Sequence, residues 1–114
     1  MECGHEIRGD AVVVGVNGRV DEASWSDFQA GLSGAITQAR EAGLKRLIID
    51  LSALDYMSSR GLRVLTIGKR EGEGAGIAVS LASPNEVMRE ILEISRYDKL
   101  FSIADDVEAA LAGE

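Results

Sequence analysis

The chain predicts one α/β domain over residues 1–114, a mixed sheet of about four to five strands flanked by about four helices and opening with a β-hairpin. Three observations carry that reading. Strand-like and helix-like apolar patterns alternate after the hairpin, and no linker, repeat or low-complexity block interrupts them. A length of 114 residues with 46% hydrophobic composition suits one compact core and is too short for two. Parallel strands in such a domain connect by right-handed crossovers.

His5 to Arg8 and Ala11 to Val16 read as short extended segments, separated by Gly9-Asp10 as a hairpin turn. Asp21 offers an N-cap to the first helix. In that helix Trp25, Phe28, Leu32, Ile36 and Ala39 recur at spacings of three and four up to a stop at Gly43, a stripe that reads as core and not as a cofactor box. Leu47-Ile48-Ile49 is short and rich in β-branched residues, which places a buried strand over residues 47–51, interior to a parallel sheet. Asp50 ends that strand and Asp55 supports a polar turn after it. The next helix spans about residues 60–70, with Leu62, Val64, Leu65 and Ile67 on its apolar face.

Gly72-Glu73-Gly74-Ala75-Gly76 invites comparison with a nucleotide-binding loop. It follows a helix and precedes a strand, the reverse of the order that aims N–H groups at phosphate, so it reads as a flexible connection. Ile77, Val79 and Leu81 then alternate as a core strand. Pro84 suits the first turn of a further helix, with Ser83 as its cap and Val87, Met88, Ile91 and Ile94 facing inward. Leu100 to Ile103 form a last short strand, and Asp105 or Asp106 caps a terminal helix carrying Val107, Ala110 and Leu111.

Composition removes several function classes. The formal charge of −7, from 12 basic and 19 acidic residues, comes with no basic run, and aromatics make up only 4%, so direct nucleic-acid binding is not expected. The acidic balance suits solubility, and equally a basic face on a protein partner. No apolar run approaches the roughly 20 residues that span a bilayer, and the N-terminus lacks the basic and apolar regions of a signal peptide, which predicts a cytoplasmic protein without membrane insertion. Cys3 is the single cysteine, lies at a terminus expected to fray, and reads as neither a reactive thiol nor a metal ligand. His5 is the only histidine and no Gly-x-Ser-x-Gly elbow accompanies it, so a serine hydrolase is not expected. Asp50 and Asp55 read as structural carboxylates. Catalytic residues, metal and cofactor are all expected to be absent.

What remains is the passage from Leu47 to Leu65, which runs a buried strand into a helix and places two hydroxyls at the junction. Ser58 is the natural N-cap, its oxygen able to accept from unpaired N–H groups of the first turn. Ser59 sits at or next to the first helical position, where a phosphate on its side chain would meet free N–H groups and the positive end of the helix dipole. On helix-start statistics alone Ser59 would be a plain capping hydroxyl. Gly61, in the first turn, costs about 1 kcal/mol relative to alanine and is expected to leave bare backbone for a partner to approach.

Three segments resemble the STAS domain, the fold shared by bacterial anti-sigma factor antagonists and the cytoplasmic tails of sulfate transporters. Asn17-Gly18-Arg19-Val20-Asp21 is similar to the family's entry to its first helix, Leu47 through Leu65 to its central strand and switch helix, and Leu92 through Phe101 to its late helix and last strand. Together they cover nearly the whole chain in order and spacing. Antagonist members typically carry Asp-Ser-Ser-Gly at the switch, the first serine being phosphorylated by a kinase that is itself the anti-sigma factor. Aligned on Met57 and Gly61, Ser59 takes the phosphoacceptor position, Ser58 stands where the family usually has aspartate and Arg60 where it usually has the second serine.

The resemblance implies a phosphorylation-switched binding protein. Its partners would be an anti-sigma factor serine kinase, from which it releases a sigma factor, and a phosphatase acting on phosphorylated Ser59. The partner-binding set would be Asp21, Ser58, Ser59, Arg60, Gly61, Leu62 and Arg63, on a monomer or weak dimer. The alternative is a STAS regulatory subunit that docks constitutively on a membrane transport system through the same helix.

Overall fold

A computed structural model describes residues 3–113. β1 (His5–Arg8) and β2 (Ala11–Val20) form the opening antiparallel hairpin, with the turn at Gly9, whose φ of +61° favours glycine. α1 (Trp25–Glu41), β3 (Arg46–Met57), α2 (Ser59–Gly74), β4 (Ala78–Ala82) and α3 (Glu86–Ile94) follow. A single 3₁₀ turn (Tyr97–Lys99), β5 (Ile103–Ala104) and α4 (Val107–Leu111) complete the order. The five strands lie in the sheet in sequence order, and every pairing after the hairpin is parallel. This is the mixed sheet with flanking helices that the alternating patterns predict.

The pleat divides the core into two layers. Val12, Val14 and Val16 of β2 and Leu47, Ile49 and Leu51 of β3 join Phe28, Leu32 and Ile36 of α1, Leu65 of α2, and Met88 and Leu92 of α3 in the main cluster. Ala11, Val13 and Ile48 face the other way and pack with Ala110 of α4. Ile48 and Ile49 therefore lie on opposite faces, and both are fully buried. Arg46 holds α4 in place by donating to the carbonyls of Ala110 and Leu111 at the end of that helix and pairing with Asp10 at 3.0 Å.

The largest departure from the sequence reading concerns the length of the two central strands. β2 continues from Val16 to Val20, and β3 runs on from Leu51 to Met57, so no polar turn separates the strand from the serines. Asp50 lies within β3 and does not end it, and Asp55 is an exposed strand residue. The register explains why. Gly15 pairs with Asp50 but Asn17 with Ala53, and Gly18 pairs with Leu54 but Arg19 with Tyr56. Each shift inserts one extra residue into β3, the signature of a β-bulge. Leu51, Leu54 and Met57 thus point into one core at a spacing of three, which does not look like a strand in sequence. Asp50 accommodates the first irregularity by accepting from the Ser52 N–H at 3.0 Å.

Smaller corrections fall at helix ends. α1 is entered through Ser24, not capped by Asp21. α2 extends to Gly74, so the first part of the glycine-rich segment is helical, and the reversal comes at Gly76 with φ +75°. Asn85 and not Ser83 caps α3, because Ser83 takes a left-handed backbone at φ +61° and Pro84 then lies before the helix. Met88 is buried as expected, whereas Val87 and Ile94 are 51% and 78% exposed. β5 occupies Ile103–Ala104 and leaves Leu100 outside it, exposed. Asp106 is the cap of α4, accepting from Ala109 at 2.7 Å. Cys3 does not fray: Gly4 accepts from Gly15 N–H at 2.9 Å, the thiol side chain lies against Gly31 of α1, and burial pushes its pKa up.

Candidate functional site at the ends of the two central strands

β2 and β3 end side by side, with Val20 opposite Met57, and the Ser58 N–H extends the ladder by donating to the Val20 carbonyl at 2.8 Å. The carboxyl ends of parallel strands are where α/β sheets expose loops and helix starts together. Here they bring the residue 21–24 turn against the first turn of α2. The turn and the helix start are consequently fixed by the same pair of strands.

The turn is organised by Asp21 and Ser24. The Asp21 carbonyl accepts from the N–H groups of Ser24 and Trp25, its Oδ1 accepts from Ala23 N–H at 3.0 Å, and its own N–H donates to Ser24 Oγ at 3.0 Å. The Ser24 hydroxyl in turn donates to the Arg19 carbonyl at 2.7 Å. Asp21 is half-buried and shapes the loop that faces the serines.

Ser58 is the N-cap of α2: its backbone is extended, and its Oγ accepts from Gly61 N–H at a long 3.4 Å. Ser59 is the first helical residue and is exposed. Arg60 lies with its guanidinium 4.6 Å above the Trp25 ring and within 3.7 Å of Glu22, so it links α2 to α1 and to the turn before it. A parallel stack of Arg19 on Tyr56, also 4.6 Å, sits on the strand ends. Arg63 is exposed one helical turn beyond Ser59.

Two residues of the expected binding set behave differently. Gly61 and Leu62 are buried. A Cβ at Gly61 would overlap Met57 Cγ and Val20 Cγ1, so this glycine lets α2 lie close against the strand ends and offers no bare backbone to a partner. The surface of the first turn is made by Ser59, Arg60 and Arg63. Trp25 is half-buried beneath Arg60 and packs against the edge of the main core, as the helical stripe predicts, whereas Ile67, expected on the apolar face of α2, is 40% exposed. The aromatic-arginine stack was not apparent in the sequence, because Trp25 and Arg60 are brought together only by the pairing of β2 with β3. His5, by contrast, is on β1, with Nδ1 bonded to Gln38 of α1 at 2.5 Å. Among the described residues no group of three or more His, Cys, Asp and Glu side chains could hold a metal ion, and no helix is long and apolar enough to cross a membrane.

A family profile described as the STAS domain matches residues 5–110. The chain belongs to the STAS domain family. Among curated proteins it is similar to BtrV of Bordetella bronchiseptica, described as a candidate anti-sigma factor antagonist, with 31% identity over 97 residues that span 85% of this chain and 80% of the relative. Among solved structures this STAS domain resembles an anti-sigma factor antagonist from Mycobacterium paratuberculosis, with a TM-score of 0.85, 21% identity, and coverage of 98% of this chain and 92% of that one. It also resembles the anti-sigma factor antagonist SpoIIAA in its unphosphorylated form, with a TM-score of 0.75, 22% identity, and coverage of 99% and 98%. The phosphorylated form of SpoIIAA from Bacillus matches at a TM-score of 0.68 and 23% identity, covering 99% of this chain and 100% of that one.

Proposed function

We propose that this STAS domain is an anti-sigma factor antagonist of the bacterial cytoplasm that acts by binding, with Ser59 as the residue whose phosphorylation turns binding off. The observation that carries the proposal is the chemistry of the α2 N-terminus. Ser59 is exposed at the first helical position, and α2 has no acidic residue in its first turn, whereas Asp27, Glu86 and Glu108 occupy the first turns of α1, α3 and α4. The positive end of the α2 dipole is therefore left to whatever anion arrives. BtrV and SpoIIAA support the same reading through their descriptions, and SpoIIAA exists in a phosphorylated form.

In the proposed cycle the unphosphorylated domain presents Ser59, Arg60 and Arg63, beside the Asp21 turn, to an anti-sigma factor serine kinase, and the kinase releases its sigma factor. Phosphorylation adds about −1.5 to −2 charges. First-turn N–H groups and Arg63 one turn on would receive that charge, so the fold should survive. The penalty falls at the interface, where a bulky dianion must lose its water or meet carboxylates of the partner. A phosphatase restores binding.

The test combines modification with affinity. Incubation with the kinase and ATP should place phosphate on Ser59, read by peptide mass spectrometry, and phosphate on Ser58 alone would overturn the assignment. In calorimetric titration Ser59→Ala should bind the kinase at least as well as wild type and Ser59→Asp poorly, with all three melting within a few degrees of one another. Equal affinity for all three would sink the switch and favour a subunit that docks constitutively, the alternative role in a membrane transport system.

A further inference from the structure

Beside the switch serines, α1 and α2 are separated by a groove of about 440 Å³ lined by Trp25, Gln29, Arg60, Arg63, Val64 and Ile67. Its shape follows from two facts. The helices close on each other farther along, where Gly68 admits Leu32 and Ser33 donates to Glu71 at 3.1 Å. At the other end Trp25 of α1 and Arg60 of α2 meet across the gap, the guanidinium 4.6 Å from the ring. Its apolar part is small: Ile67 is 40% exposed, Trp25 is half-buried and Val64 is buried, with Gln29 beside them. The rim at the switch end carries two guanidinium groups.

Those guanidinium groups are incompletely neutralised. Arg60 pairs with Glu22 at a loose 3.7 Å with both side chains well exposed, and Arg63 has no carboxylate within 4 Å among the described residues. A cationic rim beside the exposed Ile67, on a chain of net charge −7, calls for an occupant whose local charge is opposite to what the whole molecule would attract. Glu71 at the closed end gives the groove a direction, because an acidic occupant would keep its carboxylates away from that end. We infer that the groove between α1 and α2 receives a short acidic amphipathic helix of a partner protein, with an aliphatic side chain seated against Ile67 and the edge of Trp25 and carboxylates bonded to Arg60 and Arg63. The inference rests on the binding role proposed above only in taking the occupant to be part of a protein.

Trp25 is the one tryptophan in the chain and lies in the groove wall, so its emission reports occupancy directly. The probe is a synthetic helix-forming peptide of about 15 residues, with leucines at i and i+4 and glutamates on the flanking positions, against the same peptide carrying lysines instead. The glutamate peptide should shift the Trp25 emission saturably, and the lysine peptide should bind at least tenfold more weakly. Arg63→Glu should weaken the glutamate peptide at least tenfold, Arg63→Lys should retain most of the affinity, and Ile67→Ser should weaken it without altering the preference for glutamate. Both positions are exposed, and thermal melts check that the variants fold. The inference is overturned by no saturable response to the glutamate peptide, by equal binding of the two peptides, or by an Arg63→Glu variant that binds as wild type. Sedimentation showing a self-association that Arg63→Glu abolishes would overturn it too, assigning the groove to a second copy of the chain. No kinase enters this experiment, so its failure and a failure of the phosphorylation switch are separable.

Discussion

α2 and α3 both start at the carboxyl end of a parallel strand with an extended cap residue, yet they are built to different ends. At the start of α3 the Asn85 side chain accepts from Met88 N–H at 2.8 Å and donates to the Leu54 carbonyl at 3.0 Å, with Glu86 on the dipole. At the start of α2 the Ser58 cap bond is 3.4 Å, no acid is present, and a cation follows at Arg60. At the third helical position α3 has Met88, a fully buried side chain that fills space, and α2 has Gly61, which removes it. One helix start has its local bonds completed. The other is pressed against the strands below it, with a long cap bond and no acid in its first turn. That contrast separates a helix start completed by its own side chains from one that is not, and it is the difference on which the proposed modification of Ser59 rests.

The close packing beneath α2 gives the largest expected effect. Gly61→Val must displace Met57 or Val20 from a filled core and should destabilise the domain by about 2–3 kcal/mol, measured by urea unfolding. Gly61→Ala gains helix propensity of about 1 kcal/mol against the same collision and should still lose on balance. If Gly61→Ala proved stabilising, the glycine would be a surface feature after all, and the difference between the two helix starts would shrink to their charges.

The caps should differ in the opposite sense. Asn85→Ala removes a short cap bond and leaves the Leu54 carbonyl without its side-chain donor, for an expected loss of about 2 kcal/mol. Ser58→Ala breaks one long bond and should cost about 0.5 kcal/mol. Equal losses in paired chemical denaturation would mean that the two caps are energetically alike and that the 3.4 Å separation carries no meaning.

These same elements show where the sequence was readable. The Leu47 to Ile49 core run, the α1 stripe through Phe28, Leu32, Ile36 and Ala39, the Ser58 cap and an aspartate cap at Asp105 or Asp106 all depend on contacts within a turn or on simple periodicity, and the structure contains them, with Asp106 as the aspartate. β3 was hidden beyond Leu51 because two bulges convert its burial spacing from two to three, a pattern set by pairing with β2 and not by β3 itself. The α3 cap was misplaced by two residues because Ser83 and Asn85 are both good capping types, and only the left-handed backbone of Ser83 decides between them. Gly61 faces the strands and not a partner, which the sequence does not reveal, since a glycine carries no polarity to show which way it faces. Ser59 stood out by position. The Arg60 to Trp25 stack beside it joins residues on different helices, and no local pattern encodes it.

The smallest effect tests the electrostatic half of the comparison. If the α2 dipole is unmet, Ser59→Asp should add favourable charge to its first turn and stabilise the domain by about 0.3–1 kcal/mol at low ionic strength, even as it is expected to weaken partner binding. Glu86→Gln removes such a charge from α3 and should cost a similar amount. Because Ser59 and Glu86 are both exposed, both effects should fade as salt rises and the Debye length falls to about 3 Å near 1 M. Thermal melts of the two variants and wild type at low and high salt provide the measurement. A destabilised Ser59→Asp at low salt would mean that nearby carboxylates, with Glu22 paired to Arg60, outweigh the dipole. A phosphate on Ser59 would then strain the fold as well as the interface, and the switch would act through the stability of α2.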